Sequence, residues 1–179
     1  MLNIYHIEKF NYVNGNGCRY VLWLQGCNLK CKECWNKETW SFKHNILKSV
    51  NEVFNEIKKI KDKIDGVTFT GGEPMLQSQE LTILAQKIKS INLSLQIFTG
   101  FELEELNRQQ KELLKYTDIL IAGRFDKTKE NNNQKVYCFN ETWVFNNSNV
   151  EIDILNDGTI KLSGYPTDNL IKEIKNANL

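Results

Sequence analysis

The chain has 179 residues, 41% hydrophobic and 25% charged, with a net charge of +1. That is enough for one domain with a real core, and too balanced for the electrostatic footprint of a nucleic-acid or anionic-membrane binder. No apolar run approaches the about 18 residues of a membrane span, and MLNIYHIEKFNYVNG at the start lacks the basic and then apolar stretch of a secretory signal. A cytoplasmic protein is expected, in which cysteines stay reduced and close cysteine spacing points to metal or redox chemistry rather than disulfides.

RYVLWL (19–24) is a short apolar run, β-branched and aromatic in part, and predicts a buried strand. A cysteine loop follows directly. Residues 45–60 carry apolar side chains at helical spacing, GVTFT (66–70) predicts a strand ended by GGEP, and 78–91 predict a helix with Ser78 as N-cap. LSLQIFT (93–99) predicts a strand ended by Gly100, 102–116 a helix, and DILIAG (118–123) a fourth strand. NNN (131–133) reads as an exposed loop, and KVYCF (135–139) and TWVF (142–145) as short strands. Residues 150–164 read as a hairpin turning at Asn156, Asp157 and Gly158, and 168–177 as a closing helix.

Alternating strands and helices predict an α/β fold with a mostly parallel sheet. The distinctive residues follow the C-terminal ends of strands, the edge where such sheets bind ligands. A full eight-unit barrel needs about 250 residues, so a partial (β/α) barrel is expected. It forms a single domain over 1–179, with a core at about 12–140 and a C-terminal extension, hairpin and helix, at about 150–179.

Cys27, Cys31 and Cys34 form Cys-x-x-x-Cys-x-x-Cys. Zinc would need a fourth ligand, from Cys18, Cys138, His44 or His6, none at the paired spacing of fingers or ribbons. A redox pair at Cys31 and Cys34 would leave Cys27 idle. An iron–sulfur cluster on three thiolates has one iron open, which is how a metal site admits a substrate. The spacing favours the cluster and leaves the other two open. In TGGEP (70–74), the two glycines permit close approach of a ligand to the backbone and Glu73 supplies an anion. Alone this is equally a tight turn with an exposed glutamate. Beside the cysteine loop it suggests a site for a ligand with a free ammonium group.

The pair resembles the radical S-adenosylmethionine (SAM) superfamily, in which three cysteines so spaced bind a 4Fe–4S cluster and a GGE loop contacts the amino group of SAM. NGNGCRYVLWLQGCNLKCKECWNKETW, GVTFTGGEP, IFTGFELEEL and DILIAGRFD together resemble, over about 12–139, the activating protein of the anaerobic (class III) ribonucleotide reductase. The resemblance implies that Cys27, Cys31 and Cys34 ligate three irons, with SAM chelating the fourth. Gly71, Gly72 and Glu73 would hold its amino group, Trp35 and Asn36 would lie near the adenine, and Thr99 and Gly100 near the ribose. It implies a reduced cluster cleaving SAM to a 5′-deoxyadenosyl radical, which takes a hydrogen from a glycine of a partner glycyl radical enzyme. The electron would come from a flavodoxin- or ferredoxin-like donor. Glu33 stands where many members have an aromatic residue, and the family's RGSxNQ-like segment is only echoed by NNNQKV (131–136).

Two other readings share these residues: a stand-alone radical SAM enzyme acting on a small molecule or peptide, like 7-carboxy-7-deazaguanine synthase, and a non-enzymatic iron–sulfur or zinc module. Cys18, Cys138, His6 and His44 are expected to be structural and Trp23 to lie in the core. Trp40 and Trp143 could pack on the cysteine loop. Arg124 could meet a carboxylate of SAM or of a partner, or form a surface ion pair.

Overall fold

The computed structural model describes residues 1–141, 150–154, 159–164 and 166–176. The strands are β1 (Leu2–Asn11), β2 (Arg19–Leu24), β3 (Ile46–Lys48), β4 (Gly66–Gly71), β5 (Ser94–Thr99), β6 (Ile119–Ala122), β7 (Lys135–Cys138), β8 (Val150–Ile154) and β9 (Ile160–Gly164). The helices are α1 (Val50–Ile60), α2 (Ser78–Lys89), α3 (Arg108–Leu114) and α4 (Asp168–Asn176). Seven strands form one sheet in the order β3-β1-β2-β4-β5-β6-β7, and β8 and β9 form a separate pair. β2, β4, β5 and β6 run parallel, as predicted, while β1, β3 and β7 are antiparallel additions at the two sides.

Successive residues of a strand point to opposite faces. Tyr20, Leu22 and Leu24 of β2, Val67 and Phe69 of β4, Leu95 and Ile97 of β5, and Leu120 and Ala122 of β6 therefore share one face. They join the core with Val53 and Ile57 of α1, Leu81, Leu84 and Ile88 of α2, and Leu113 of α3. The other face is more polar, with Arg19, Thr68 and Gln96 fully buried on it. Arg19 donates from Nε to Thr68 Oγ1 at 2.7 Å, from one terminal nitrogen to the Asn16 carbonyl and Ser94 Oγ at 2.9 and 3.0 Å, and from the other to the Val67 carbonyl at 2.7 Å. It ties together the N-terminal ends of β2, β4 and β5, the edge opposite the cysteines.

Several boundaries differ from expectation. β1 was not anticipated, although Leu2 and Ile4 alternate with Asn3 and Tyr5 and are fully buried. The helix expected over 45–60 starts at Val50. Ser49 accepts a hydrogen bond from Glu52 N while Glu52 reaches back to Ser49 N, and this capping box releases 46–48 to pair with β1 as β3. Ser78 is the first residue of α2, not its cap. The 3-10 turn Pro74–Gln77 precedes it, with Gln77 at the N-cap. The helix expected over 102–116 is broken: Glu102 caps the 3-10 turn Leu103–Glu105, and Asn107 caps α3 with a second box to Gln110. TWVF (142–145), the hairpin turn at 156–158 and Trp143 lie outside the described residues. No helix among the described residues is long and apolar enough to cross a membrane.

Candidate active site

β2 ends in the cysteine loop, which main-chain bonds close at its base. Gly26 N donates to the Thr39 carbonyl at 2.7 Å and Cys27 N to the Trp40 carbonyl at 3.3 Å. Within the loop, Cys34 N donates to the Cys31 carbonyl at 3.1 Å and Asn36 N to Cys34 Sγ at 3.4 Å. All five cysteines are free thiols. Cys27 is buried and Cys31 and Cys34 are half-buried. Burial pushes the Cys27 thiol up, opposed by backbone N–H groups of Leu29 and Lys30. Cys18 is buried in the core as expected, but Cys138 is exposed on β7 rather than packed as a small hydrophobe.

β4 ends one strand over. Gly72 N donates to the Leu24 carbonyl at 2.8 Å and Glu73 N to the Gly26 carbonyl at 2.9 Å, so the GGE turn is laced onto the start of the cysteine loop. Gly71 has φ +102°, and a Cβ there would lie 2.5 Å from Leu24 N; a Cβ on Gly72 would overlap the Gly26 carbonyl. The two glycines thus permit the close approach of two backbones within this chain.

Glu73 is 1% exposed, which removes the alternative of a plain turn with an exposed glutamate. Its Oε1 accepts from Thr99 Oγ1 at 2.7 Å and Met75 N at 2.9 Å, and its Oε2 from Gly100 N at 2.8 Å. Burial raises its pKa to about 7 even against these three bonds. The carboxylate clamps the end of β5 to the end of β4.

These loops enclose a cavity of about 120 Å³. Cys27, Cys31, Cys34, Trp35, Asn36, Gly71, Gly72, Glu73, Thr99 and Gly100 all line it, so every site residue expected from sequence is brought to one place. Leu29, Trp40, Thr70, Phe98, Gly123, Phe125 and Gln134 join them. Of these, Trp40 and the strand-end residues Thr70, Gly123 and Phe125 fall in stretches the sequence points to, and nothing in the sequence singles out Leu29, Phe98 or Gln134. Phe125 meets the edge of Trp35 at 6.4 Å between centroids. Among the described residues, no three His, Cys, Asp or Glu side chains are gathered closely enough to hold a single metal ion. The donor set fits a thiolate-bound cluster: three free thiols face one cavity, and a backbone N–H reaches Cys34 sulfur. The Trp40 indole N–H, buried without a partner, is a further donor in that wall. Arg124 does not line this cavity; it pairs with Glu105, donates to the Gly100 carbonyl at 3.1 Å and stacks on Phe101 at 5.7 Å.

A second cavity of about 600 Å³ lies on the polar face of the sheet and shares Trp35, Asn36, Thr70 and Phe98 with the first. Tyr5, His6, Glu8, Asn14 and Trp23 line it, and Leu162, Ser163, Gly164 and Pro166 wall it from the C-terminal side. Trp23, expected in the core, is half-buried here against the His6 ring at 5.5 Å.

A family model described as a 4Fe-4S single cluster domain matches residues 13–141. The anaerobic ribonucleoside-triphosphate reductase-activating protein of Haemophilus influenzae is 34% identical over 131 residues, 69% of this chain and 84% of that one. That of Enterobacteria phage T4 is 34% identical over 131 residues, 70% of this chain and 83% of that one. The pyruvate formate-lyase-activating enzyme of Staphylococcus epidermidis is 34% identical over 128 residues, 66% of this chain but 51% of that one. The crystal structure of QueE from Escherichia coli overlaps with a TM-score of 0.43 and 19% identity, over 65% of this chain and 67% of that one, too little for an argument from fold. With the cysteine loop, the GGE turn and the TG turn converging inside the matched stretch, the chain belongs to the radical SAM family of the anaerobic ribonucleoside-triphosphate reductase-activating proteins.

Proposed function

We propose that this chain is a glycyl-radical activating enzyme of the anaerobic ribonucleotide reductase type, with Cys27, Cys31 and Cys34 holding a 4Fe–4S cluster and SAM bound beside it. The observation that carries the reading is the convergence of those cysteines with Gly71, Gly72, Glu73, Thr99 and Gly100 on one cavity at the C-terminal edge of the parallel strands. When bound, the cluster and SAM supply reductive cleavage to a 5′-deoxyadenosyl radical, which takes a hydrogen from a glycine of the partner enzyme. The protein's own task is to position both ligands and exclude water.

In this reading the main chain at Gly71 and Gly72 receives the amino group of SAM. Glu73 acts mainly as the clamp that fixes Thr99 and Gly100 beside the ribose, since both its oxygens already accept hydrogen bonds. Trp35 and Asn36 flank the adenine, and Trp35 is held by Phe125. The mixed seven-stranded sheet is taken as a partial barrel of one domain spanning 1–179. The reductant is a flavodoxin- or ferredoxin-like protein, and the setting is cytoplasmic.

The test is anaerobic reconstitution with iron and sulfide. EPR spectra of the reduced protein with and without SAM are compared, and 5′-deoxyadenosine release is measured. Expected are a SAM-dependent change in the spectrum, loss of cleavage in Cys27→Ala, Cys31→Ala and Cys34→Ala, and a glycine-centred doublet when the anaerobic reductase encoded in the same genome is added. A spectrum indifferent to SAM with no 5′-deoxyadenosine overturns the enzyme reading. Cleavage without a doublet transfers the activity to a small-molecule or peptide substrate.

A further inference from the structure

Three cysteines line the smaller cavity, and the loop that carries them already turns backbone donors onto two of their sulfurs. The N–H groups of Leu29 and Lys30 bond to the Cys27 sulfur, and Asn36 N donates to Cys34 Sγ at 3.4 Å. Such bonds set positive hydrogens against sulfur that is negative once a cluster is bound. A side-chain donor stands in the same wall. The Trp40 indole nitrogen is buried and has no hydrogen-bond partner among the described residues. An indole N–H can only donate, and a buried donor is costly to leave unpaired.

The loop itself fixes where Trp40 stands. Trp40 ends the 3-10 turn Lys37–Trp40. Thr39 beside it is fully buried, and donates to the Asn36 carbonyl from Oγ1 at 2.6 Å and from N at 3.0 Å. The Trp40 carbonyl accepts from Cys27 N at 3.3 Å. Trp40 is thus tied by its main chain to the first cysteine, while its side chain lines the cavity that all three share.

The oxygen acceptors around that cavity are already engaged. Both Glu73 carboxylate oxygens accept hydrogen bonds, and the Leu24, Gly26 and Cys31 carbonyls accept from Gly72, Glu73 and Cys34 N. What the cavity still offers an N–H is sulfur. Position points the same way. Trp35, Asn36, Thr70 and Phe98 line both cavities, whereas Trp40 and the three cysteines line only the smaller one. Trp40 therefore belongs to the cysteine end of the site, away from the residues that continue into the second cavity.

We propose that the Trp40 indole N–H donates a hydrogen bond to a sulfur of the cluster, sulfide or cysteine thiolate, and thereby makes the cluster easier to reduce. This rests on the activase reading and adds to it a residue that tunes the electron-accepting step. The reduced cluster carries one more negative charge than the oxidised one, so a donor facing its sulfurs favours the reduced state and raises the reduction potential.

The experiment uses the full chain, produced with tryptophan carrying nitrogen-15 at the indole position and reconstituted anaerobically with iron and sulfide. Pulsed EPR of the reduced cluster reads hyperfine coupling to the label, and a potentiometric titration reads the midpoint potential. Each of the four tryptophans is replaced in turn by phenylalanine, which keeps an aromatic ring and removes the donor. Expected is a nitrogen-15 coupling in the wild type that is lost in Trp40→Phe and kept in Trp23→Phe, Trp35→Phe and Trp143→Phe. The midpoint potential of Trp40→Phe is expected to be more negative than that of the wild type. No coupling in the wild type, coupling lost in one of the other three variants instead, or equal midpoint potentials would overturn this inference and leave the activase reading standing. If Trp40→Phe takes up no cluster, coupling kept in all three other variants still assigns the bond to Trp40. If the wild type takes up no cluster, the activase reading fails and this inference with it.

Discussion

Glu73 carries a carboxylate into a space with 1% exposure and binds both its oxygens to neighbouring loops. Burial outweighs those bonds and lifts its pKa from 4.5 to about 7. A carboxyl with a raised folded-state pKa binds more protons folded than unfolded between those two values, so its contribution makes stability fall as pH rises from about 4.5 to about 7. The full effect is on the order of 3 kcal/mol. Urea unfolding of cluster-free wild-type and Glu73→Gln proteins across that window is expected to show the wild type losing stability with pH relative to the variant. Parallel pH profiles would remove the claim. The Glu was legible in the sequence as part of GGEP, but its direction was not. Whether a turn glutamate faces solvent or the next strand depends on β5, about 25 residues further along the chain.

At the scale of elements, the GGE turn and the cysteine loop are one unit, because β2 and β4 approach closely enough that Gly71 and Gly72 have no room for side chains. Gly72→Ala would press a methyl group onto the Gly26 carbonyl. Overpacking against backbone costs about 1–3 kcal/mol, and the loop carrying Cys27 would shift with it. SAM cleavage is therefore expected to fall more than the loss of folded protein accounts for, measured as 5′-deoxyadenosine released per cluster bound. Full activity in a stable Gly72→Ala protein would show that the loops are independent. Helix starts were partly readable at this scale. Ser49 and Glu52 stand at capping-box spacing, which sets the start of α1 at Val50. Apolar periodicity cannot see such a break, so it ran the helix back over β3 and merged two capped segments into one between 102 and 116.

For the whole molecule, Arg19 is as telling as the cysteines. It is fully buried, its pKa is lowered to about 10 by that burial, and it stays charged at neutral pH. Its guanidinium joins β2, β4, β5 and the loop before β2 at the edge of the sheet away from the active site. Arg19→Met leaves the buried Val67 carbonyl without this donor and is expected to cost about 3 kcal/mol in chemical denaturation. Arg19→Lys recovers little of it, because an ammonium cannot span the same fork. A Met variant as stable as wild type would mean that water replaces the side chain.

The sequence by itself determined the parallel strands, the three-cysteine spacing and the loops that face one edge, because strand periodicity, turn residues and ligand spacing are local properties written in adjacent positions. Tertiary structure decided what those positions do for one another. It turned Glu73 into a clamp and made the two glycines a contact between strands. It also placed β1, read from sequence only as not being a signal peptide, beside β2 at the wall of the second cavity. The most distant case is Asn11 with Ser163, 152 positions apart and 2.9 Å between atoms. No local pattern encodes such a pair, since either residue alone is an ordinary polar turn or strand residue, and only burial of the Asn11 amide requires a partner for it.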